Sequence, residues 1–271
     1  LPGNILHELV YNDRIVGGVD SESTRRAIDF YKTFVRGEVI GTDATTAEMV
    51  KLMENTFRDV NIALANEFAL VAEKVGINVF EAIELANRHP RVHILKPGPG
   101  VGGHCIAVDP YFIMEAAPEQ SRLIRLARAI NTLMPHHVMK LFSQIAERSY
   151  QEGSPIETVA VLGASYKANV GDDRESPSLE VCKLIEKEGY RIRIHDPYID
   201  RFSRVPIREV LLGADLIILL TDHARYREDL VPAGVSRLVR QPLILDTRGF
   251  LGPEWEEAGF RVTRLGVGCR I

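Results

Sequence analysis

Residues 45–75 read TTAEMVKLMENTFRDVNIALANEFALVAEKV and contain neither glycine nor proline. Along them, large apolar side chains recur at steps of three and four residues, the spacing of one helix face; they are Met53, Phe57, Val60, Leu64, Phe68, Val71 and Val75. Gly76 is expected to end this helix. A helix of about 45 Å exceeds what one small core can cover. The stretch therefore predicts a central spine or a dimer interface.

A second row on the same helix is polar. Lys51 and Asn55 are four residues apart, so one lies above the other, and Asp59, Ile62 and Asn66 continue the row. The row is either a solvated face or one wall of a cleft into which Lys51 and Asn55 point together.

The stretch PGPGVGGHCIAVDPYFI, residues 97–113, places Cys105 on a backbone rich in glycine and proline. Gly102 and Gly103 carry no Cβ and would let the backbone approach a ligand closely, with the thiol exposed. Lys51 is the candidate neighbour that would favour the thiolate. A thiolate attacks carbonyl carbon, and an adjacent Asn and Lys can hold the oxyanion or a water. Asp109 could then act as general base in hydrolysis of a thioester.

The remaining cysteine and histidine patterns are weaker. Cys182 lies within an amphipathic helical pattern and is expected to pack in a core. His104 precedes Cys105 directly, and neighbours in an extended chain point apart, which disfavours a Cys-His pair. A cysteine hydrolase would need a histidine from another element, and none stands out.

The segments around the long helix predict further elements. A strand over 14–20, a helix over 21–35 capped by Ser21 or Ser23, and a strand over 37–43 form a βαβ unit. Three more helices are expected: one over 79–88, one starting with Asp109 at its cap, and one over 121–147 that is bent or broken at Pro135.

After residue 155, apolar strands alternate with helices. Strands are predicted within 158–163, 190–199, 214–223 and 241–250, and a helix over 176–189. This alternation implies a doubly wound parallel sheet. The fold class is therefore α/β, with a long central helical domain followed by a Rossmann-like domain.

The loop after the first of these strands reads GASYKANVGDDRESPS, residues 163–178, and lacks both the dinucleotide fingerprint and the P-loop pattern. It offers Tyr166 to stack on a base, Lys167 to meet a phosphate, and then Arg174. Arg248, just past a later strand, would lie at the same sheet edge, where its guanidinium would donate paired hydrogen bonds to a phosphate. We interpret the domain as binding a nucleotide other than NAD; an ordinary loop with stray charges is the alternative.

The bulk composition excludes several classes. The formal net charge of −4 does not favour nucleic acid, and no apolar run approaches the roughly 18 residues of a membrane span. Three cysteines fit a reducing cytoplasm rather than a disulfide framework. Pro90 separates His89 from His93, so we predict no metal site.

Four stretches together resemble the UDP-glucose/GDP-mannose dehydrogenase family: GPGVGGHCIAVDPYFI, KLMENTFRDVNIALANEFALVAEKVGI, ANRHPRV and YKANVGDDRESPS. The resemblance implies NAD-dependent oxidation of a UDP-sugar C6 alcohol to a carboxylate, through a cysteine thiohemiacetal and thioester. It favours a UDP-N-acetyl-hexosamine substrate, UDP-N-acetyl-D-mannosamine first, with UDP-N-acetylglucosamine or UDP-glucose as alternatives.

The resemblance also implies site residues. Cys105 would be the nucleophile, Lys51 and Asn55 would hold the substrate oxygen and a water, and Asp109 would assist the base chemistry. Sugar-nucleotide contacts would come from Gly102, Gly103, Tyr166, Lys167 and Arg248, and from Arg91 or Arg88 reaching across a homodimer formed by the long helix. Arg174 is assigned to the cofactor.

The family pattern begins with an NAD-binding domain whose glycine fingerprint does not occur in this sequence. Residues 1–40 are therefore interpreted as the end of that domain, 41–150 as the central dimerisation and catalytic domain, and 151–271 as the UDP-sugar domain. We expect the chain alone to bind the UDP-sugar without transferring hydride; a non-catalytic binding module is the alternative.

Overall fold

The structure, a computed structural model, describes residues 5–268; Cys269 lies outside them. The helices are α1 (Ile5–Tyr11), α2 (Ser21–Tyr31), α3 (Ala44–Val75), α4 (Val79–Ala86), α5 (Asp109–Ala116), α6 (Arg122–Gln151), α7 (Pro177–Lys187), α8 (Asp200–Ser203), α9 (Ile207–Leu211), α10 (Tyr226–Asp229), α11 (Pro232–Val235) and α12 (Glu254–Glu257). The strands are β1 (Arg14–Gly18), β2 (Val39–Asp43), β3 (Thr158–Leu162), β4 (Arg191–His195), β5 (Leu216–Leu219), β6 (Leu243–Asp246) and β7 (Arg261–Arg264).

The predicted βαβ unit is present: β1 and β2 pair in parallel and α2 connects them. The cap of α2 differs from the prediction. Asp20 occupies the N-cap, and its carboxylate accepts the amide N–H of Ser23 at 2.7 Å. A carboxylate one residue before the helix accepts an N–H that would otherwise be unpaired. Ser21 and Ser23 already lie inside the first turn and therefore cannot act as the cap.

The long helix α3 matches its predicted span, and Gly76 ends it in the left-handed conformation at φ 77°. Of the predicted bend or break of α6 at Pro135, the break is wrong, because this helix continues through the proline. Pro135 is buried, and α6 packs along α3, so tertiary contacts hold the helix together where a backbone hydrogen bond is lost. Asp109 is the first residue of α5, and Val108 occupies the N-cap where Asp109 was expected.

The large apolar stripe of α3 does not face the core of this chain. Phe57 is 70% exposed and Val75 is 61% exposed. The helix instead buries small and polar side chains: Asn55, Thr56, Asp59, Ala63, Ala65, Asn66, Ala69 and Ala72. Small residues let α3 and α6 approach closely, and the apolar stripe is left uncovered.

The second sheet has five parallel strands in the order β4-β3-β5-β6-β7, with one apolar core on each face. This is a doubly wound order, in which ligands bind outside the carboxyl ends of the strands, where the order reverses around β3. β7 was not predicted, because its sequence RVTR, residues 261–264, is short and half polar. None of the helices described over residues 5–268 is at once long enough and apolar enough to cross a bilayer.

Three members of the polar row of α3, Asn55, Asp59 and Asn66, are buried rather than solvated, whereas Lys51 is exposed. Arg128 Nη1 and Asn131 Nδ2 both donate to Asp59 Oδ1, at 2.6 and 2.8 Å. Asn66 Nδ2 donates to Asn131 Oδ1 at 2.9 Å, and the amide N–H of Gly98 donates to Asn66 Oδ1 at 2.9 Å. We call this chain of bonds the helix relay. It connects α3 and α6 to the cysteine loop, residues 97–108.

The charges of the helix relay are only partly satisfied. Burial raises the pKa of Asp59, although the charge of Arg128 acts in the opposite direction. Asp59 Oδ2 and Arg128 Nε have no hydrogen-bond partner in the part of the chain that the structure describes. Removing one member of such a pair leaves an uncompensated buried charge.

We expect Arg128→Met to lower the free energy of unfolding by about 3–5 kcal/mol, because it leaves the Asp59 carboxylate buried without its cation. The double variant Asp59→Leu/Arg128→Met should recover part of this loss, since neither charge then remains. Urea denaturation measures both, with the exposed Arg122→Met as the control. A loss below about 1 kcal/mol for Arg128→Met, or no recovery in the double variant, would contradict the role of the helix relay.

Candidate active site

A cavity of about 810 Å³ lies between α3, the cysteine loop and the carboxyl ends of β3, β5 and β6. Many of the residues predicted from the sequence line it together: Lys51, Asn55, Gly102, Gly103, Cys105, Tyr166, Lys167 and Arg248. Residues far apart in the chain therefore share one site, and this site lies at the end of the sheet where nucleotides bind.

The Cys105 thiol is exposed, as predicted. The chain turns directly after it, because the amide N–H groups of Val108 and Asp109 donate to the Cys105 carbonyl at 3.0 and 2.8 Å. This turn brings Asp109 to the start of α5, where its Oδ2 accepts from Asn55 Nδ2 at 2.5 Å. Asp109 does not line the cavity itself and contacts it through Asn55.

Lys51 borders the cavity from α3, and its side chain is 65% exposed. Its Nζ lies 3.2 Å from Glu54 Oε2, one turn further along the helix. An exposed pair of this kind contributes little free energy, so the ammonium can be drawn to a ligand in the cavity.

The two glycines before Cys105 line the cavity and also have a packing role, and their contact with the substrate stays a prediction. A Cβ at Gly102 would lie 2.7 Å from Pro177 Cδ and 2.8 Å from Tyr166 Cβ. Gly103, at φ +86°, lies against the Tyr166 ring, where a Cβ would be 3.0 Å from Cε2. Protein rather than ligand occupies the space that the missing Cβ atoms leave, and the glycines seat the cysteine loop on the loop that follows β3.

Tyr166 is half-buried in this contact. Burial, and after it the Asp172 carboxylate, raises the pKa of the Tyr166 phenol, so the side chain stays a neutral hydroxyl at physiological pH. Lys167 is exposed beside it and has no ion-pair partner among the residues that the structure describes. The segment therefore presents one neutral donor and one cation to the cavity.

Arg248 joins the sheet edge to the cysteine loop. Its Nε lies 3.0 Å from Asp222 Oδ1, and its Nη1 donates to the Pro97 carbonyl at 3.4 Å. Burial acts to raise the pKa of Asp222, but the charge and hydrogen bond of Arg248, a backbone N–H and the charge of Lys96 together lower it. The guanidinium thus holds two parts of the site together while it faces the cavity.

Besides Asp109, three predicted residues lie outside the cavity lining. Arg174 Nη2 is 2.6 Å from Asp172 Oδ2, and the Arg174 carbonyl accepts the amide N–H of Gly103 at 3.1 Å. Its assignment to the cofactor stays a prediction. Arg88 and Arg91 are exposed in the turn after α4, and their assignment to the sugar nucleotide stays a prediction.

Four charged lining residues were not predicted from the sequence: Glu8, Arg58, Lys96 and Asp222. Arg58 follows Asn55 by three residues, so helical spacing could have placed it on the same face. Lys96 directly precedes the cysteine loop. Asp222 follows β5, and only the sheet order reveals that it lies beside Arg248.

The turn after β3 does not fit NAD. The amide N–H groups of Ala164 and Ser165, at the turn where a dinucleotide pyrophosphate would bind, both donate to Asp196 Oδ2 at 2.8 and 2.9 Å. Gly163 faces Thr221, whose amide nitrogen would lie 2.7 Å from an added Cβ. Within residues 5–268, no three His, Cys, Asp or Glu side chains are placed to hold a metal ion.

Comparison with known proteins gives named relatives. The UDP-N-acetyl-D-mannosamine dehydrogenase of Methanocaldococcus jannaschii is 50% identical, over 99% of this chain and 62% of the relative. The NDP-N-acetyl-D-galactosaminuronic acid dehydrogenase of Ralstonia solanacearum is 46% identical, over 92% of this chain and 58% of the relative. The solved structure of UDP-D-ManNAc dehydrogenase from Pyrococcus horikoshii superposes with a TM-score of 0.91 at 44% identity, over 99% of this chain and 63% of that one.

The chain thus spans about 60% of the length of these relatives. Two family profiles match within it: the central domain over residues 45–133 and the UDP binding domain over residues 160–253. The resemblance seen in the motifs is confirmed, and the chain belongs to the UDP-glucose/GDP-mannose dehydrogenase family.

Proposed function

We propose that this protein is an NAD-dependent UDP-sugar 6-dehydrogenase that oxidises the C6 alcohol of UDP-N-acetyl-D-mannosamine to the carboxylate. The observation that carries the proposal is the shared cavity, in which an exposed thiol, an amine and an amide from the helical layer meet cations from the sheet. The names of the relatives support the substrate class. UDP-N-acetylglucosamine and UDP-glucose remain the alternatives for the sugar.

The thiol chemistry divides among four residues. The Cys105 sulfur adds to the C6 aldehyde carbon, forming the C–S bond of a thiohemiacetal, while Lys51 and Asn55 stabilise the developing oxyanion. In the final hydrolysis, water attacks the thioester carbon, the C–S bond breaks, and the sulfur leaves as thiolate. Asp109, hydrogen-bonded to Asn55, takes up the proton that the water releases.

The oxidising equivalents come from NAD, as the family implies. The steps assigned to the residues described here are addition, oxyanion stabilisation and hydrolysis.

The nucleotide end of the substrate is assigned to the sheet side of the cavity. Lys167 supplies an ammonium group, which binds a phosphate as a point charge. Arg248 supplies a planar guanidinium, which can donate two parallel hydrogen bonds to a phosphate. Lys96 and Arg58 add positive charge around the same space. The cavity therefore matches a ligand with an anionic centre and a sugar that extends toward Cys105.

The protein is proposed to act as a homodimer through α3. The exposed apolar stripe of this helix borders a groove of about 320 Å³ that is lined mainly by apolar side chains, among them Met49, Met53, Phe57 and Ile113. Contiguous apolar surface of this kind marks an interface. In such a dimer, Arg88 or Arg91 of the second copy would reach the sugar nucleotide.

Reactivity of Cys105 tests the proposed nucleophile. In a Cys269→Ser background, iodoacetamide near neutral pH should label Cys105 more than about a hundredfold faster than Cys182, because the thiolate is the reactive form. Burial raises the pKa of Cys182 to about 12 and leaves almost none of it as thiolate. Mass spectrometry of the two peptides gives the rates. UDP-N-acetyl-D-mannosamine should slow labelling of Cys105, and labelling that ignores the ligand would contradict the assignment.

The substrate is tested on the intact protein by following NADH formation with each candidate UDP-sugar. We expect the highest kcat/KM for UDP-N-acetyl-D-mannosamine, with its C2 epimer about 10- to 200-fold lower, because pocket shape alone discriminates them. Cys105→Ser should abolish carboxylate formation while UDP binding persists. Equal activity of Cys105→Ser and the wild type would rule out the covalent route.

The dimer is tested by placing a charge on the stripe. Phe57→Arg should convert the dimer to a species of one-chain mass in sedimentation equilibrium, because a guanidinium cannot be buried in an apolar interface. Phe30→Arg is the matched control, since Phe30 is 61% exposed on α2, away from the stripe. An unchanged mass for Phe57→Arg would show that α3 does not form the interface.

A further inference from the structure

The loop that carries Tyr166 and Lys167 is anchored at its start by a buried carboxylate. Asp196, at the carboxyl end of β4, is fully buried. Its Oδ2 accepts the amide N–H groups of Ala164 and Ser165, and also the Ser165 hydroxyl at 2.6 Å. Three donors from two adjacent residues fix the direction in which the chain leaves β3.

The same loop is anchored at its far side by Asn169. Its backbone is in the left-handed region at φ 61°, and its side-chain Oδ1 accepts the amide N–H of Ala224 at 2.8 Å. The amide N–H of Asn169 donates to His223 Nδ1 at 2.9 Å. A non-glycine residue holds this conformation only where its surroundings determine it.

One side chain connects the two anchors. His223 is fully buried, and its Nε2 lies 3.0 Å from Asp196 Oδ2. Because Nδ1 accepts from Asn169, the ring proton is assigned to Nε2, which donates to Asp196. His223 therefore bonds the carboxylate that holds residues 164–165 and the backbone that holds residue 169. Between these points lie Tyr166, Lys167 and Ala168, all of which line the cavity.

We propose that His223 and Asp196 form a positioning pair that holds the segment 166–168 in the orientation that binds the diphosphate of the sugar nucleotide. This inference rests on the proposed function for the ligand, while the anchoring itself rests on the hydrogen bonds above. Neither residue touches the substrate, since both are fully buried.

The acid at the end of β4, Asp196, has a different role from the acid at this position in dinucleotide-binding sheets. In dinucleotide-binding sheets an acid at the end of a strand hydrogen-bonds the ribose. Here Asp196 Oδ1 accepts the amide N–H of Tyr198 at 2.9 Å, and Oδ2 is occupied by the loop and His223. Burial acts to raise the pKa of Asp196, but the hydrogen bonds from His223, Ser165 and the Ala164 amide, together with the charge of His223, lower it. Asp196 remains an ionised acceptor for its own backbone rather than a ligand for ribose.

Three variants of His223 separate the two bonds. His223→Asn keeps an acceptor near the position of Nδ1, His223→Gln keeps a donor near the position of Nε2, and His223→Phe fills the volume without either bond. On the full chain, UDP affinity is measured by calorimetry, and exchange of the Asn169 amide hydrogen is measured by NMR. Ile185→Ala, a buried change in α7, is the control for a general loss of stability.

We expect His223→Phe to bind UDP about tenfold more weakly, which corresponds to roughly 1.4 kcal/mol. The Asn169 amide should exchange faster in His223→Phe and His223→Gln, whereas His223→Asn should keep its protection and much of the affinity. Ile185→Ala should lower the unfolding midpoint without changing the UDP affinity.

The outcomes separate this inference from the proposed function. A wild-type chain that fails to bind UDP would contradict the proposed function. Protection of the Asn169 amide would still show that His223 holds the loop at residue 169. UDP binding that His223→Phe retains at full strength, or that Ile185→Ala weakens equally, would overturn the positioning role alone.

Discussion

The ion pair between Asp59 and Arg128 is the interaction on which the arrangement of the helical side of the cavity depends. It lies between the two long helices, and Asn131 and Asn66 extend it to the backbone of the cysteine loop at Gly98. A carboxylate buried to this extent is stable only with its donors in place. The position of the cysteine loop is therefore coupled to the packing of α3 against α6, rather than set by the loop itself.

The sheet side of the cavity is organised by a second buried carboxylate with different partners. Asp196 bonds amide groups and His223, and so it orders a loop instead of joining helices. Contacts of Tyr166 with Gly103 and of Arg248 with Pro97 connect the two sides. The proposed chemistry follows this division, since the reacting groups come from the helical layer and the anion-binding groups from the sheet.

The long helix α3 has two faces that need a packing partner. Its alanines meet α6 closely, which leaves Phe57, Val71 and their neighbours without a partner inside one chain. A helix with an uncovered apolar face of this length would be a liability in a lone monomer. The proposed dimer resolves this and would complete the cavity with an arginine from the second copy.

The sequence by itself determined the elements whose signals are local. The periodicity of residues 45–75, the alternation after residue 155 and the glycine-rich stretch before Cys105 were sufficient for α3, for most strands of the sheet and for an exposed thiol. The motifs also identified the family, because four matches in order are specific.

Only the tertiary structure decided which of two faces of α3 is buried, that Pro135 does not interrupt α6, and that Gly102 and Gly103 pack against the loop that follows β3. It also brought Asp222, Lys96 and Arg58 into the cavity and bonded His223 to Asp196. The physical reason is that hydrogen bonds and close packing between distant segments depend on their positions in space, whereas periodicity and turn residues report only the conformation of neighbours along the chain.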